Sequence, residues 1–269
     1  MSYANFLKKE WRFTLDAVIS DLKNKRDPDF FDPYGTQVHC GRQGSGKTIS
    51  AVHVVNSIKK RYPKAVLVSN LSLFGYRAIS TAEWLCYNAQ DQTMNGSVRR
   101  FDPVKDYVHF STNEDLHVAL TKINNGTRGV IYLIDEIHIY FNSLDSKNIP
   151  VHIFTEISQQ RKQRKLIVGT SQLFMRMAKP LREQCDNIVM CNTVFGCFTV
   201  MRCYDGMTLE QDYNGNLIGV SKGTGFFVHS LEDRNSFDTF QKVVSSEVQF
   251  DQLVKPEAKE KRRLGFIRR

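Results

Sequence analysis

Gly41–Arg42–Gln43–Gly44–Ser45–Gly46–Lys47–Thr48 is the stretch on which the fold turns. It fits the pattern G-x-x-x-x-G-K-[ST] and sits between a short apolar run, Gln37–Cys40, and a helical pattern from about Thr48 to Arg61. That setting gives the spacing a physical meaning. Glycines let backbone N–H groups turn inward around phosphate oxygens, and the positive end of the following helix adds to the attraction. The Lys47 ammonium suits the β- and γ-phosphates, and the Thr48 hydroxyl suits Mg²⁺. Gly41, Arg42, Gln43, Gly44, Ser45, Gly46, Lys47 and Thr48 are therefore the candidate nucleotide-binding set.

A phosphate loop needs an acid at the end of a nearby buried strand. Val130–Ile131–Tyr132–Leu133–Ile134–Asp135–Glu136 supplies one about 90 residues later. Asp135 is the candidate metal ligand, acting through water, and Glu136 the candidate base for an attacking water. The acidic pair favours hydrolysis over a simple nucleotide switch. A literal guanine-reading pattern, Asn24–Lys25–Arg26–Asp27, precedes the loop and lies off any predicted strand end, so ATP is the expected nucleotide, with Mg²⁺.

Outward from these motifs, strands and helices alternate from Gln37 to Thr170, which predicts an α/β fold with a parallel sheet covered on both faces. A helix is expected from about Ile149 to Lys162. Residues from about Phe74 to Asp106 read as an insertion or irregular connection. Ile188 to Phe227 is rich in Val, Phe, Thr and Cys and reads as antiparallel β structure, with Phe226–Phe227–Val228 as a buried strand. Tyr3 to Asn24 carries Phe6, Trp11, Leu15, Val18 and Leu22 at helical spacing. The expected divisions are a helical segment over 1–34, the P-loop core over 35–187, a β-rich appendage over 188–250 and a basic tail over 251–269.

The formal net charge of +9 is concentrated in two places. Lys255 to Arg269 carries seven bases and two acids, and Gln159 to Arg182 carries seven bases and no acid. Such clusters suit a polyanion such as DNA. The N-terminus lacks an apolar secretory core, and no stretch is long and apolar enough to span a membrane. Six cysteines without a secretory signal point to a reducing, cytoplasmic setting. Cys185, Cys191, Cys197 and Cys203 recur every six residues, a spacing that suits strand residues better than zinc knuckles. His138 reads as a local packing or hydrogen-bonding residue, and Trp84 and Tyr87 as anchors of a local core.

Gln172 lies at the tip of the strand Leu166–Thr170, where an amide can contact γ-phosphate or the attacking water. Arg161, Arg164, Arg176 and Arg182 flank that strand. Any of them could hold DNA phosphates or reach a neighbouring subunit's nucleotide.

This ordered set resembles the FtsK/HerA superfamily of P-loop ATPases. It comprises Gly41–Thr48, Val130–Glu136 followed by Tyr140–Phe141–Asn142–Ser143, and Gln159–Gln160–Arg161–Lys162 before a strand ending Thr170–Ser171–Gln172. It looks most like the zonular-occludens-toxin-like and viral genome-packaging branch. The resemblance covers about Gln37 to Arg182. It implies a RecA-like core, a hexameric ring, DNA translocation driven by ATP, Gln172 as sensor, and Arg161 or Arg164 as a trans-acting finger. Filamentous-phage members of the branch carry a transmembrane segment and none is readable here, which favours cytoplasmic packaging over export. Capsid or portal and membrane partners both stay open. The alternatives are a membrane-associated ATPase for virion extrusion or conjugation, and a slow nucleotide-controlled adaptor that binds DNA or protein.

Overall fold

A computed structural model describes residues 27–90, 101–211 and 217–238. The expected N-terminal helix and basic tail lie outside the described residues. A nine-stranded sheet runs through the molecule. Its central strands are β1 (Gly35–Cys40), β2 (Val66–Ser69), β4 (Asp106–His109), β5 (Val130–Ile134) and β6 (Lys165–Ser171), all parallel to their neighbours. Every residue of β2, β5 and β6 is buried. Strands covered on both faces read as unbroken apolar runs, which makes them legible in the sequence.

Helix α1 (Lys47–Arg61) follows the phosphate loop and lies across one face. Ala51, Val52 and Val55 bury against Leu67, Ile131, Leu133 and Val168. Lys59, Lys60 and Arg61 fill its last turn, where the helix dipole favours cations. The chain leaves the helix at Tyr62, as Pro63 disfavours helical geometry in the residue before it. The Lys59 ammonium is buried and donates to the carbonyls of Pro63, Ala65 and Pro103. Burial lowers its pKa to about 8.

The opposite face is covered by α2 (Thr81–Gln90), α3 (Asn113–Lys122) and α4 (Val151–Ser158). Thr112 caps α3 by accepting the Asp115 N–H at 3.0 Å. A four-residue helix, α5 (Gln160–Gln163), separates α4 from β6, so the single helix expected over 149–162 is broken at Gln159.

Two expectations need correction. The stretch from Phe74 to Asp106 is not irregular where it is described. It holds β3 (Arg77–Ser80), which forms the sheet edge beside β4, and α2, whose Trp84 is buried in the core. Only Ile79 of β3 is buried, so its sequence shows no apolar run. Arg77 clamps the edge through a two-pronged hydrogen bond to Asp106 at 2.9 and 2.8 Å. Phe226–Phe227–Val228 is a strand but not a buried one. Phe226 and Val228 are 70% and 64% exposed, and only Phe227 is covered.

The C-terminal strands continue the core sheet. β7 (Cys185–Val194) pairs parallel with β1 and antiparallel with β8 (Phe198–Asp205), which pairs with β11 (Ser221–Val228). The full order is β11-β8-β7-β1-β6-β5-β2-β4-β3. A small hairpin, β9 (Glu210–Gln211) and β10 (Leu217–Ile218), stands apart. Two further one-turn helices, α6 (Lys179–Arg182) and α7 (Leu231–Arg234), precede β7 and follow β11. The spaced cysteines fall along β7, β8 and the turn between them and form no disulfide. One strand, β6, stands between the loop-bearing β1 and the acid-bearing β5. The fold is an α/β sheet, parallel at its centre, that carries the phosphate loop, with antiparallel strands added at one edge.

Candidate active site

The carboxyl ends of β1, β2, β5 and β6 come together at one rim of the sheet. This is where open α/β sheets bind ligands. The phosphate loop leaves β1 there. Gly46 has φ +81°, and a Cβ on it would collide with the hydroxyls of Thr193 and Thr199. Gly41 is likewise closed in by the Ser45 side chain and the Cys191 carbonyl. A side chain at either place would push the loop out of shape.

Lys47 is 7% exposed and donates to the Arg42 carbonyl at 3.3 Å, which lays its ammonium across the loop. The buried Ser45 hydroxyl has no hydrogen-bond partner inside the loop. An orphaned buried hydroxyl in this glycine-rich loop fits a phosphate-binding cradle.

Asp135 follows β5 and is the centre of the site. Its Oδ1 accepts from the Thr48 hydroxyl at 2.8 Å and from the Thr170 hydroxyl at 2.8 Å. Asn70, just past β2, holds its backbone from both sides, accepting the Asp135 N–H at 2.8 Å and donating to the Asp135 carbonyl at 2.9 Å. Burial pushes the Asp135 carboxyl above its usual range, and the Thr170 and Thr48 hydrogen bonds pull it part of the way back. A desolvated carboxylate beside a hydroxyl is a hard-oxygen donor pair that fits Mg²⁺.

Glu136 turns the chain at φ 49°, in the left-handed region, and donates its N–H to Thr170 Oγ1 at 2.9 Å. Its Oε1 accepts from the Gln172 amide at 3.3 Å. Among the described residues its Oε2 is buried without a hydrogen-bond partner, and His138 Nδ1 lies 3.2 Å away. Burial lowers the His138 pKa, while the Glu136 charge works in the other direction. The predicted set Lys47, Thr48, Asp135, Glu136 and Gln172 thus meets at one rim. Asn70, Thr170 and His138 join it without a motif of their own. Their signal in the sequence is position alone, as polar residues at or just beyond the carboxyl ends of predicted strands.

Arg161 and Arg164 are elsewhere. They precede β6, whose seven residues run about 20 Å toward the rim. Arg164 donates to the Phe31 carbonyl at 2.7 Å and lies 3.6 Å from the Phe30 ring centroid, and Arg161 lies over Tyr34. Within one chain neither meets Glu136. Lys165 is buried, with its ammonium on the Leu120 carbonyl. The acid-free run from Gln159 to Arg182 is therefore divided between the two ends of the sheet.

Beside the loop, on the face away from α1, lies a cavity of about 1050 Å³. Arg42, Arg176 and Arg202 line it together with Gln172 and His138, and no carboxylate does so among the described residues. Also among the described residues, no helix is long and apolar enough to cross a membrane.

No protein-family model and no curated protein matches this chain. Its fold is similar to solved structures of low sequence identity. One is the N-terminal domain of zonular occludens toxin from Neisseria meningitidis, with a TM-score of 0.47 and 10% identity over 76% of this chain and 98% of that one. Another is the genome packaging NTPase B204 from Sulfolobus turreted icosahedral virus 2 in complex with ATP-gammaS, at 0.44 and 14% over 71% and 97%. A third is B204, the DNA-packaging ATPase from Sulfolobus turreted icosahedral virus, at 0.42 and 14% over 70% and 97%.

Proposed function

We propose that this protein is a P-loop ATPase whose turnover drives DNA through an oligomeric ring, in the manner of a genome-packaging motor. The observation that carries the ATPase reading is the joined set Thr48–Asp135–Thr170–Glu136–Gln172. It puts a phosphate loop, a metal-type carboxylate and a second, oriented carboxylate at one rim. The loop amides and Lys47 bind the phosphates. Thr48 and Asp135 would hold Mg²⁺, which supplies charge neutralisation at the phosphate oxygens.

Glu136 takes a proton from the attacking water, whose oxygen bonds to the γ-phosphorus. The bridging bond to the β-phosphate breaks, and its electron pair leaves with ADP. Gln172, held on Glu136, ties the state of the γ-phosphate to the segment that begins with it and ends in Arg176. Three guanidinium groups in a cavity that no carboxylate lines among the described residues supply the charge for a DNA backbone. A hexamer, a neighbour's Arg161 or Arg164 as finger, a cytoplasmic setting and a capsid or portal partner belong to the same reading.

Steady-state ATP hydrolysis by the purified protein, alone and with single- or double-stranded DNA across a salt series, tests it. Stimulation by one DNA form that fades as salt rises is expected. A slow rate indifferent to every nucleic acid would favour the adaptor reading. Glu136→Gln is expected to retain ATP binding and to lose turnover by about 10²–10⁴-fold. Undiminished turnover would remove Glu136 from the role of base.

A further inference from the structure

The phosphate loop is held from the side away from Asp135 by a run of side chains. Ser45 O accepts from the Thr193 hydroxyl at 3.0 Å, and Thr193 Oγ1 lies 2.7 Å from Thr199 Oγ1. Thr199, fully buried on β8, lies 2.7 Å from His229 Nε2. At the far end, His229 Nδ1 faces Arg234 Nη2 at 3.3 Å, and the same guanidinium donates to the Gly196 carbonyl in the β7–β8 turn.

Donors and acceptors in this run are compatible with one direction only. A guanidinium can only donate, so His229 Nδ1 must accept and the ring must be neutral with its proton on Nε2. Nε2 then donates to Thr199, Thr199 to Thr193, and Thr193 to the Ser45 carbonyl.

We infer that Thr193, Thr199 and His229 are positioning residues for nucleotide binding, a relay that fixes the phosphate loop through Ser45 from the C-terminal strands. The inference rests on the ATPase reading. It adds that the loop is shaped from two sides, by Asp135 through Thr48 and by this relay through Ser45. A Cβ at Gly46 would strike both threonine hydroxyls, so loop and relay have no slack between them.

The relay also carries a pH dependence. Among the described residues, the charged or titratable groups that face His229 are Arg234 and Asp233 on its own segment and His53 from α1, whose ring stacks on Phe227. The β7–β8 turn contributes Cys197, whose carbonyl accepts the His229 N–H. Burial, and after it Arg234, hold His229 below the ordinary histidine range, so it is neutral at pH 7. Protonation would place an N–H on Nδ1 against the Arg234 guanidinium and break the run at that link.

The test measures KM and kcat for ATP, together with the Kd of a fluorescent ATP analogue and thermal melting. The proteins are the full-length wild type, Thr199→Val, Thr199→Ser, His229→Gln and Lys47→Ala. Loss of one buried hydrogen bond predicts that Thr199→Val raises KM and Kd about 5- to 10-fold with kcat changed by less than about twofold. Thr199→Ser, which keeps the hydroxyl, should return both to within about twofold of wild type. Wild-type KM should rise as pH falls below about 6.5, the ordinary histidine value, and His229→Gln, which keeps a donor but does not titrate, should flatten that rise.

Equal KM in Thr199→Val and wild type would overturn the relay, as would equal damage from Val and Ser or an unchanged pH profile in His229→Gln. If Thr199→Val does not fold, the Thr199→Ser and His229→Gln profiles decide alone. Analogue binding by the wild type that Lys47→Ala abolishes keeps the ATPase reading standing whichever way the relay falls. No nucleotide binding by the wild type would overturn both.

Discussion

The two ends of β6 show how one strand can serve two purposes. At its carboxyl end Thr170 bridges Asp135 and the Glu136 backbone, and Gln172 reaches the Glu136 carboxylate. At its amino end, Arg164 is occupied by the Phe31 carbonyl and the Phe30 ring, and the Lys165 ammonium by the Leu120 carbonyl. Polar groups at the first end are hydrogen-bonded to the two acidic residues of the site. Those at the second are committed to backbone and aromatic partners, so a change there should register first in stability.

The largest effect expected from breaking this contrast is at Thr170. Thr170→Val removes a donor to Asp135 and an acceptor for Glu136 together, and should lower kcat by about 10²-fold, with pre-steady-state ATP binding retained. Arg164→Ala tests the other end. It should destabilise the fold by about 1–3 kcal/mol, read in denaturant melts, while turnover per folded protomer stays near wild type. Loss of turnover by about 10³-fold without loss of stability would instead give Arg164 the trans-acting role that the sequence left open between it and Arg161.

A subtler effect is expected at Asp135. Its carboxyl titrates above the normal range in the fold, so holding the charge at neutral pH costs stability, and that cost disappears as pH falls through the raised value. Asp135→Asn should therefore raise the melting temperature of the nucleotide-free protein by a few degrees at pH 7 and leave it nearly unchanged in acid. The smallest effect is expected at Arg176, where Ala should reduce the salt slope of DNA binding by about 1.

The sequence disclosed what local pattern encodes. The Gly41–Thr48 loop, the acidic pair after β5 and the amide after β6 are each fixed by neighbours a few residues away. It did not disclose what register delivers. Asn70 meets Asp135 only because β2 pairs with β5 so that both end at the same rim. Thr193 meets Ser45 only because β7 lies beside β1. Charge composition misled for a related reason. Arg161 and Arg176 sit in one acid-free run, yet a buried strand carries the chain from one end of the sheet to the other between them. Phe226 and Val228 misled because β11 is paired with β8 alone among the described residues, so apolar side chains there need not be covered.

That last strand has a consequence for handling the protein. Among the described residues β11 has a partner strand on one side only; an open edge invites a foreign strand, and exposed Phe226 and Val228 would reward such an addition. The β11–β8 register slips between Ser221 and Gly223, where the backbone reaches φ +143°. A local kink of this kind spoils the straight template that strand-on-strand growth requires. Straightening the strand at Gly223 should therefore show first as turbidity in concentrated stocks.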